Sequence, residues 1–201
     1  MGKDREIMII LVVGVPASGK TSVVNAAKKY FKREIEVIEF GDIIFELAKK
    51  NYGIENRDEI RKKLSVKDQT ELQLEAVGYI LDKCMKGDVI VTTHFVIETS
   101  SGFKSGINKE MADLLKPDAI VIIISDPDKI LLRRVEDTSR VREKEDLERI
   151  RIHQEMTIYY AIPFMYMYNT VIEVIKNEEG LLEVAAKKFA DFINNLLEEK
   201  R

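Results

Sequence analysis

The segment Ile7–Thr21 reads IMIILVVGVPASGKT. Its first seven residues are apolar and mostly β-branched, the pattern of a strand buried in a parallel sheet. The eight residues from Gly14 onward satisfy G-x-x-x-x-G-K-[ST], the sequence of a glycine-rich turn between a strand and a helix. The segment therefore predicts an α/β protein whose first strand leads into a phosphate-binding loop.

Short apolar runs alternate with longer helical stretches through the rest of the chain, which is typical of βαβ units. The further predicted strands are Glu36–Phe40, Asp88–Thr93, Ala119–Ser125 and Val171–Ile175. We expect a P-loop NTPase fold, with a five-stranded parallel sheet flanked by helices on both faces, in a single domain over residues 1–201.

Helical periodicity lies between these strands. The predicted helices are Thr21–Phe31, most of residues 41–86 with breaks near 51–56 and 65, Lys129–Val135, Asp146–Tyr160 and Leu181–Leu197. Pro163 should end or kink the helix that precedes it, because proline lacks the N–H group that the helix needs.

Composition excludes several classes of protein. With 45% hydrophobic and 33% charged residues, the 201-residue chain can form a sizeable core, and its net charge of −3 provides no global basic field for nucleic acid. Ile7–Val15 is nine residues long, whereas a membrane-spanning helix needs about twenty. The single cysteine, Cys84, excludes an internal disulfide. We expect a cytoplasmic protein with no membrane segment and no nucleic-acid partner.

The phosphate loop consists of Gly14, Val15, Pro16, Ala17, Ser18, Gly19, Lys20 and Thr21. Its backbone N–H groups and the following helix N-terminus should surround phosphate oxygens. Lys20 should reach the β- and γ-phosphates as a catalytic cation, and the Thr21 hydroxyl should ligate Mg²⁺. The N-K-x-D sequence of GTP-binding proteins is absent and the chain is short for a large ATPase, which favours a small-molecule kinase that uses Mg²⁺ and ATP.

Two arginine groups are candidates for contacts to phosphate. Arg57 and Arg61 are four residues apart, so one helical face would present both guanidinium groups, although spacing alone favours a solvated helix in which Glu55, Asp58 and Glu59 are their partners. Arg140 and Arg142 lie in a charged segment, residues 137–146, that could close over a transferred phosphoryl group. Arg133 and Arg134 belong to the same region or only pair with Glu136 and Asp137.

In order and spacing, the chain resembles the archaeal-type adenylate kinases over nearly its whole length. The motifs that carry this resemblance are the phosphate loop, Phe40-Gly41-Asp42, Arg57-Asp58-Glu59-Ile60-Arg61, Thr93-His94, Arg133-Arg134 with Arg140 and Arg142, and His153-Gln154.

The resemblance implies Mg²⁺-dependent phosphoryl transfer from ATP to AMP in the cytoplasm. It implies an acceptor site in the helical region of approximately residues 41–86, with Asp42, Arg57, Arg61 and His94, and a lid that carries Arg140 and Arg142. Because members of the family form trimers, it also implies a homo-oligomer.

Three positions depart from the family pattern. Thr92 replaces an aspartate that would support Mg²⁺, Glu98 replaces a basic residue, and Ile158 replaces an arginine. Asp126 either substitutes for the missing carboxylate or caps the following helix. These departures leave open a kinase for another nucleoside monophosphate or small acceptor, or an acceptor-independent ATPase. The first alternative predicts that Glu98→Arg would improve the use of AMP.

Overall fold

A computed structural model describes residues 7–136 and 146–199. Its strands are β1 (Ile9–Val13), β2 (Glu36–Glu39), β3 (Val89–Thr92), β4 (Val96–Thr99), β5 (Gly102–Ser105), β6 (Ala119–Ile124) and β7 (Val171–Lys176). The main sheet is parallel throughout, in the order β2-β3-β1-β6-β7. All five predicted strands are present, so the predicted fold class is confirmed.

The helices cover both faces of this sheet. They are α1 (Lys20–Ala27), α2 (Phe40–Tyr52), α3 (Ile60–Lys63), α4 (Val66–Cys84), α5 (Lys109–Leu115), α6 (Pro127–Glu136), α7 (Leu147–Tyr168) and α8 (Leu182–Glu199). Short 3₁₀ helices cover Lys28–Tyr30 and Arg57–Glu59. None of the helices in the described ranges combines the length and hydropathy that crossing a membrane requires.

Alternate residues of β1 enter two separate cores, because successive side chains of a strand point to opposite faces. Leu11 and Val13 pack with α4, α5 and α7 on one face. Ile10 and Val12 pack with α1 and α8 on the other. Both faces of the central strand are therefore fully covered, which explains its continuous apolar sequence.

The region predicted as helical, residues 41–86, is built from α2, α3 and α4. Gly53 ends α2 in the left-handed conformation, with φ of 65°, and Ser65 begins α4 in a capping box with Asp68. These signals lie at the two breaks that the sequence indicated. A small apolar cluster that contains Ala48, Ile60 and Leu72 holds the three helices together.

Pro163 was expected to end or kink its helix. It does not end the helix, since α7 continues to Tyr168. Pro163 and Tyr159, whose carbonyl loses its hydrogen-bond donor, are both exposed to solvent. Water can therefore satisfy that carbonyl, while Ala161 and Phe164 anchor the same turns in the core.

An antiparallel hairpin follows β3 and was not predicted. In the antiparallel register of β4 and β5, Val96 is opposite Ser105. At the end of the hairpin away from its turn, the Gly106 N–H group donates to the carbonyl oxygen of Phe95 at 2.7 Å. Its Thr- and Ser-rich sequence lacks the alternating apolar pattern that identifies a strand. The hairpin places Glu98 and Phe103 beside α7.

Candidate active site

The loop between β1 and α1 has a shape that only glycine allows at two positions. A Cβ atom on Gly14 would lie 2.4 Å from the carbonyl oxygen of Ile123, and one on Gly19 would lie 2.1 Å from Nδ2 of Asn177. Gly19 also has φ of 91°, in the left-handed region. The loop is therefore pressed against the ends of the neighbouring strands.

The N-terminus of α1 is open toward the inside of this loop. Gly19 is the N-cap, the first turn contains no acidic residue, and within the described residues no side chain caps the helix. The buried hydroxyl of Ser18 has no hydrogen-bond partner in the same part of the chain. Free N–H groups at a helix N-terminus bind anions, so the loop provides a site for phosphate oxygens.

Lys20 folds back across the loop and is buried. Its Nζ donates to the carbonyl oxygens of Gly14 at 3.0 Å and Val15 at 3.1 Å. It also lies 3.3 Å from Nε2 of His94, which follows β3. The structure thus brings together two predicted site residues that are 74 positions apart in the chain.

Arg133 and Arg134 of α6 hold the outer side of the loop. Arg134 Nε and Nη2 donate to the carbonyl oxygen of Pro16 at 3.1 and 3.0 Å, and Arg133 Nη1 donates to that of Ala17 at 3.3 Å. Ala17 has φ of 66°, a strained conformation for a residue with a side chain. The expectation that these arginines pair only with Glu136 and Asp137 is therefore wrong, because both donate to backbone carbonyls of the phosphate loop, and Arg133 Nη2 also pairs with Glu179 at 2.7 Å.

Asn177, which follows β7, is a site residue that the sequence analysis missed. Its Nδ2 donates to the carbonyl oxygen of Ser18 at 3.0 Å, and its backbone carbonyl accepts from Ser125 Oγ at 2.8 Å. The signal that could have found it is its position, since polar residues after parallel strands collect at one edge of the sheet.

The His153-Gln154 pair connects α7 to the same edge. Gln154 bridges the backbone of Ser125, with Oε1 accepting from its N–H group and Nε2 donating to its carbonyl, both at 3.0 Å. His153 Nε2 donates to the carbonyl oxygen of Val96 at 2.9 Å. Burial lowers the pKa of His153, which keeps the imidazole neutral.

Thr21, the predicted Mg²⁺ ligand, donates from Oγ1 to Oε1 of Glu39 at 2.9 Å. Thr92 is buried at the end of β3, and its Oγ1 lies 3.5 Å from the carbonyl oxygen of Ile38. Asp126 forms an ion pair with Lys176 at 3.0 Å. No group of three or more potential metal-ligating His, Cys, Asp or Glu side chains occurs in the described ranges.

Asp42 and Arg57 form an ion pair across the gap between α2 and the 3₁₀ helix Arg57–Glu59. The Arg57 guanidinium also lies over the ring of Phe45, 5.6 Å from its centroid. Arg61, in α3, is exposed. Arg57 therefore pairs outside its own helix, rather than with the acidic neighbours that the alternative interpretation proposed.

Glu98 is not an uncompensated negative charge at an acceptor site. Its carboxylate pairs with Arg149 of α7, whose guanidinium lies 4.2 Å from the ring centroid of Phe103. Ile158, the departure that lies on α7, packs against the core. The structure thus gives Glu98 its own cation, which the sequence analysis did not anticipate.

Arg140 and Arg142 lie outside the described residues, as does nearly all of the predicted lid segment 137–146. Within that segment the structure describes Asp146, whose carboxylate accepts from the Arg149 N–H group at 2.6 Å and caps α7.

Comparisons with known proteins identify relatives of this chain. A family model described as an AAA domain matches residues 13–151. The adenylate kinase of Pyrobaculum aerophilum is 36% identical over 194 residues, with 94% of this chain and 96% of that protein covered. The adenylate kinase of Pyrococcus furiosus is 34% identical over 192 residues, with 95% and 97% covered.

Solved structures share the fold at much lower identity. Shikimate kinase from Acinetobacter baumannii, in complex with shikimate, matches with a TM-score of 0.55 and 16% identity, over 98% of this chain and 96% of that one. A putative kinase from Chloroflexus aurantiacus matches with a TM-score of 0.57 and 9% identity, over 99% and 100%. These two likenesses concern the fold, whereas the full-length sequence matches identify the family. The chain belongs to the adenylate kinase family of P-loop kinases.

Proposed function

We propose that this protein transfers the γ-phosphoryl group of ATP to AMP and forms two molecules of ADP. The observation that carries the proposal is the position of Lys20, whose ammonium lies inside a glycine-shaped loop at the N-terminus of α1. Family membership and the Asp42–Arg57 pair in the helical region beyond β2 support the choice of a nucleoside monophosphate as acceptor.

The donor site in this proposal is the loop Gly14, Val15, Pro16, Ala17, Ser18, Gly19, Lys20 and Thr21. Backbone N–H groups of the loop bind the triphosphate, and Lys20 exchanges its bonds to loop carbonyls for bonds to phosphate oxygens. Arg133, Arg134 and Asn177 hold the loop from outside, so its N–H groups are oriented before the nucleotide arrives.

The residues present fit Mg²⁺. Thr21 and Glu39 offer oxygen ligands beside the phosphate loop, and Mg²⁺ usually takes one or two carboxylates together with substrate phosphates and water. When bound with ATP, Mg²⁺ neutralises charge on the β- and γ-phosphate oxygens. The proposed role of this chain is to hold that ion with Thr21 and to hold the phosphates with Lys20.

The acceptor site in this proposal contains Asp42, Arg57, Arg61 and His94. Ion pairs between solvent-exposed side chains are weak, so Arg57 can exchange the half-exposed Asp42 carboxylate for the phosphate of AMP through two parallel hydrogen bonds. Exposed Arg61 is free to turn to the same phosphate, and His94 orients the acceptor from beside Lys20. Arg140 and Arg142 would then close over the phosphoryl group and exclude water.

We also propose that the protein is a cytoplasmic homo-oligomer. Tyr159, Ile162 and Tyr166 form an exposed stripe on α7, with relative exposures of 61%, 53% and 94%. Their spacing of three and four residues places them on one face of the helix, where a second copy could cover them. Light scattering should give a multiple of the chain mass, and Tyr166→Glu should reduce it. A wild-type protein that remains monomeric at all concentrations would contradict the proposal.

Product stoichiometry tests the proposed activity. With Mg²⁺, ATP and AMP, separation of the nucleotides should show two ADP formed for each AMP consumed, and Lys20→Ala should abolish this while the protein remains folded by circular dichroism. ADP and inorganic phosphate in equal amounts, with AMP unchanged, would instead identify an ATPase.

A further inference from the structure

Thr92 leaves the end of β3 without a carboxylate, and Glu39 is the nearest acidic residue on the neighbouring strand β2. A P-loop kinase needs a carboxylate near the Mg²⁺ ion, and in this chain the end of β3 provides only a hydroxyl. The Thr92 side chain is buried and turned toward the carbonyl oxygen of Ile38. The strand that usually provides the charge therefore provides none.

Glu39 lies directly beside Thr92 in the sheet. The parallel register of β2 and β3 pairs Glu39 with Thr92, and paired residues of neighbouring strands project on the same side. From this position the Glu39 carboxylate accepts a hydrogen bond from Thr21 Oγ1 at 2.9 Å. A carboxylate on β2, rather than on β3, therefore reaches the Thr21 hydroxyl of the phosphate loop.

The local structure leaves the Glu39 carboxylate free for this task. Glu39 is the N-cap residue of α2, yet within the described residues its side chain makes no capping hydrogen bond. Its only side-chain hydrogen bond in this part of the chain is the one from Thr21, and none of the described lysines, arginines or histidines forms an ion pair with it.

Other carboxylates near this edge of the sheet each have a lysine or arginine as their partner. The pairs are Asp42–Arg57, Glu98–Arg149, Asp126–Lys176 and Glu179–Arg133. Asp126, which the sequence analysis considered as a substitute, pairs with Lys176 and not with Thr21. Glu39 differs from all of these, because its partner is the hydroxyl expected to bind the ion.

We propose that Glu39, at the end of β2, is the carboxylate that holds the divalent cation of the bound nucleotide together with Thr21, in place of a carboxylate on β3. This inference rests on the proposed function, because it assumes that the phosphate loop binds a nucleotide with a divalent cation. It assigns the acidic half of the metal site to a residue that no motif in the sequence marks.

Glu39 also lies close in the sequence to the proposed acceptor site. Asp42, which pairs with Arg57, follows Glu39 by three residues at the start of α2. A cation held by Glu39 therefore fixes the first turn of the helix that carries the acceptor pair. The position of the ion and that of the acceptor helix are coupled through a single short segment.

Calorimetry of nucleotide binding tests the proposal without relying on activity. The full-length protein is titrated with a non-hydrolysable ATP analogue in saturating Mg²⁺ and again in EDTA, and the ratio of the two dissociation constants measures how strongly metal and nucleotide binding are coupled. Glu39→Gln keeps the size of the side chain and an acceptor for Thr21. It should reduce this ratio by about tenfold, the loss typical when one partner of a metal site is removed. Binding in EDTA should not weaken, because a negative charge near the triphosphate has been removed.

Two further variants make the test specific. Asp126→Asn removes a carboxylate at the same edge of the sheet, and it should leave the ratio unchanged because that carboxylate contacts Lys176 and not the Thr21 hydroxyl. Thr92→Asp added to Glu39→Gln returns a carboxylate to the neighbouring position in the sheet, and it should restore metal coupling.

The outcomes separate this inference from the proposed function. Wild-type coupling retained in Glu39→Gln, or lost equally in Asp126→Asn, would overturn the role of Glu39 while nucleotide binding stands. A wild-type protein that does not bind the analogue in either buffer would overturn the proposed function itself.

Discussion

The guanidinium of Arg134 donates two hydrogen bonds to one acceptor, the carbonyl oxygen of Pro16, with Nε at 3.1 Å and Nη2 at 3.0 Å. Arg134 is buried, so these bonds form where water competes little. They fix the phosphate loop to α6, the helix that immediately precedes residues 137–145. The phosphate loop is therefore anchored to the helix after which the predicted lid segment follows in the sequence.

Arg134→Lys should weaken this anchor, because lysine cannot present two donors in a fixed planar arrangement. We expect the free energy of unfolding to fall by about 1.5 kcal/mol, the scale of a hydrogen bond to a charged group, and the KM for ATP to rise. Urea unfolding and initial rates measure the two effects. Arg151→Lys is the matched control, since Arg151 forms an exposed pair with Glu148 on α7. Equal effects of the two substitutions would contradict the anchoring role.

Charge reversal at Glu98 tests the alternative that this residue repels the phosphate of AMP. The structure places its carboxylate against Arg149 and 3.7 Å from Nδ1 of His153. Glu98→Arg should therefore destabilise the fold by about 1 kcal/mol through repulsion, without improving the use of AMP. The exchange Glu98→Arg with Arg149→Glu should restore much of that stability. A lower KM for AMP in the single variant would support the alternative.

Local patterns account for what the sequence predicted correctly. The five strands, the phosphate loop and the breaks between α2, α3 and α4 each depend on neighbouring residues, so composition and spacing suffice to find them. The hairpin β4–β5 was missed because its strands, four residues each, are too short to show such a pattern and are held by pairing with each other.

Contacts between distant residues account for what the sequence did not predict. Asn177 and Ser18 are 159 positions apart, and Thr21 meets Glu39 only because β1 and β2 flank the same strand. The partner of Glu98 was also unpredictable, since Arg149 reaches it from another element. Pairing of this kind follows from topology, which a single sequence specifies only indirectly.

Burial of His153 predicts a pH dependence of stability. Burial is the main cause that lowers the pKa of His153 below the usual value of about 6.5, and the charges of Arg134 and Lys20 act in the same direction. Between the lowered pKa and the ordinary value, the unfolded chain binds the additional proton. The free energy of unfolding therefore decreases as the pH falls through about 6.5.

His153→Gln should remove this contribution. Its destabilising effect, measured by urea unfolding against the wild type, should be largest near neutral pH and should shrink as the solution becomes acidic. Parallel stability curves for the two proteins across this range would show that the protonation of His153 is not linked to folding.

Cys84 should be chemically inert in the folded protein. It lies in the core between α4 and the sheet, and burial raises the pKa of its thiol to about 11. Because the thiolate is the reactive form, a disulfide reagent at about pH 8 should label Cys84 only slowly until guanidinium unfolds the chain. Rapid stoichiometric labelling of the native protein would contradict the packing described for α4.

The proposed kinase activity is tested by the rate of ADP production from Mg²⁺ and ATP with AMP, CMP, UMP, GMP or no acceptor in parallel reactions. We predict a rate that appears with AMP and is negligible without an acceptor, since the phosphate loop and the Asp42–Arg57 region would then act as the two halves of one site. An equal, slow rate in every reaction would contradict it, because the phosphate loop would then hydrolyse ATP without using an acceptor.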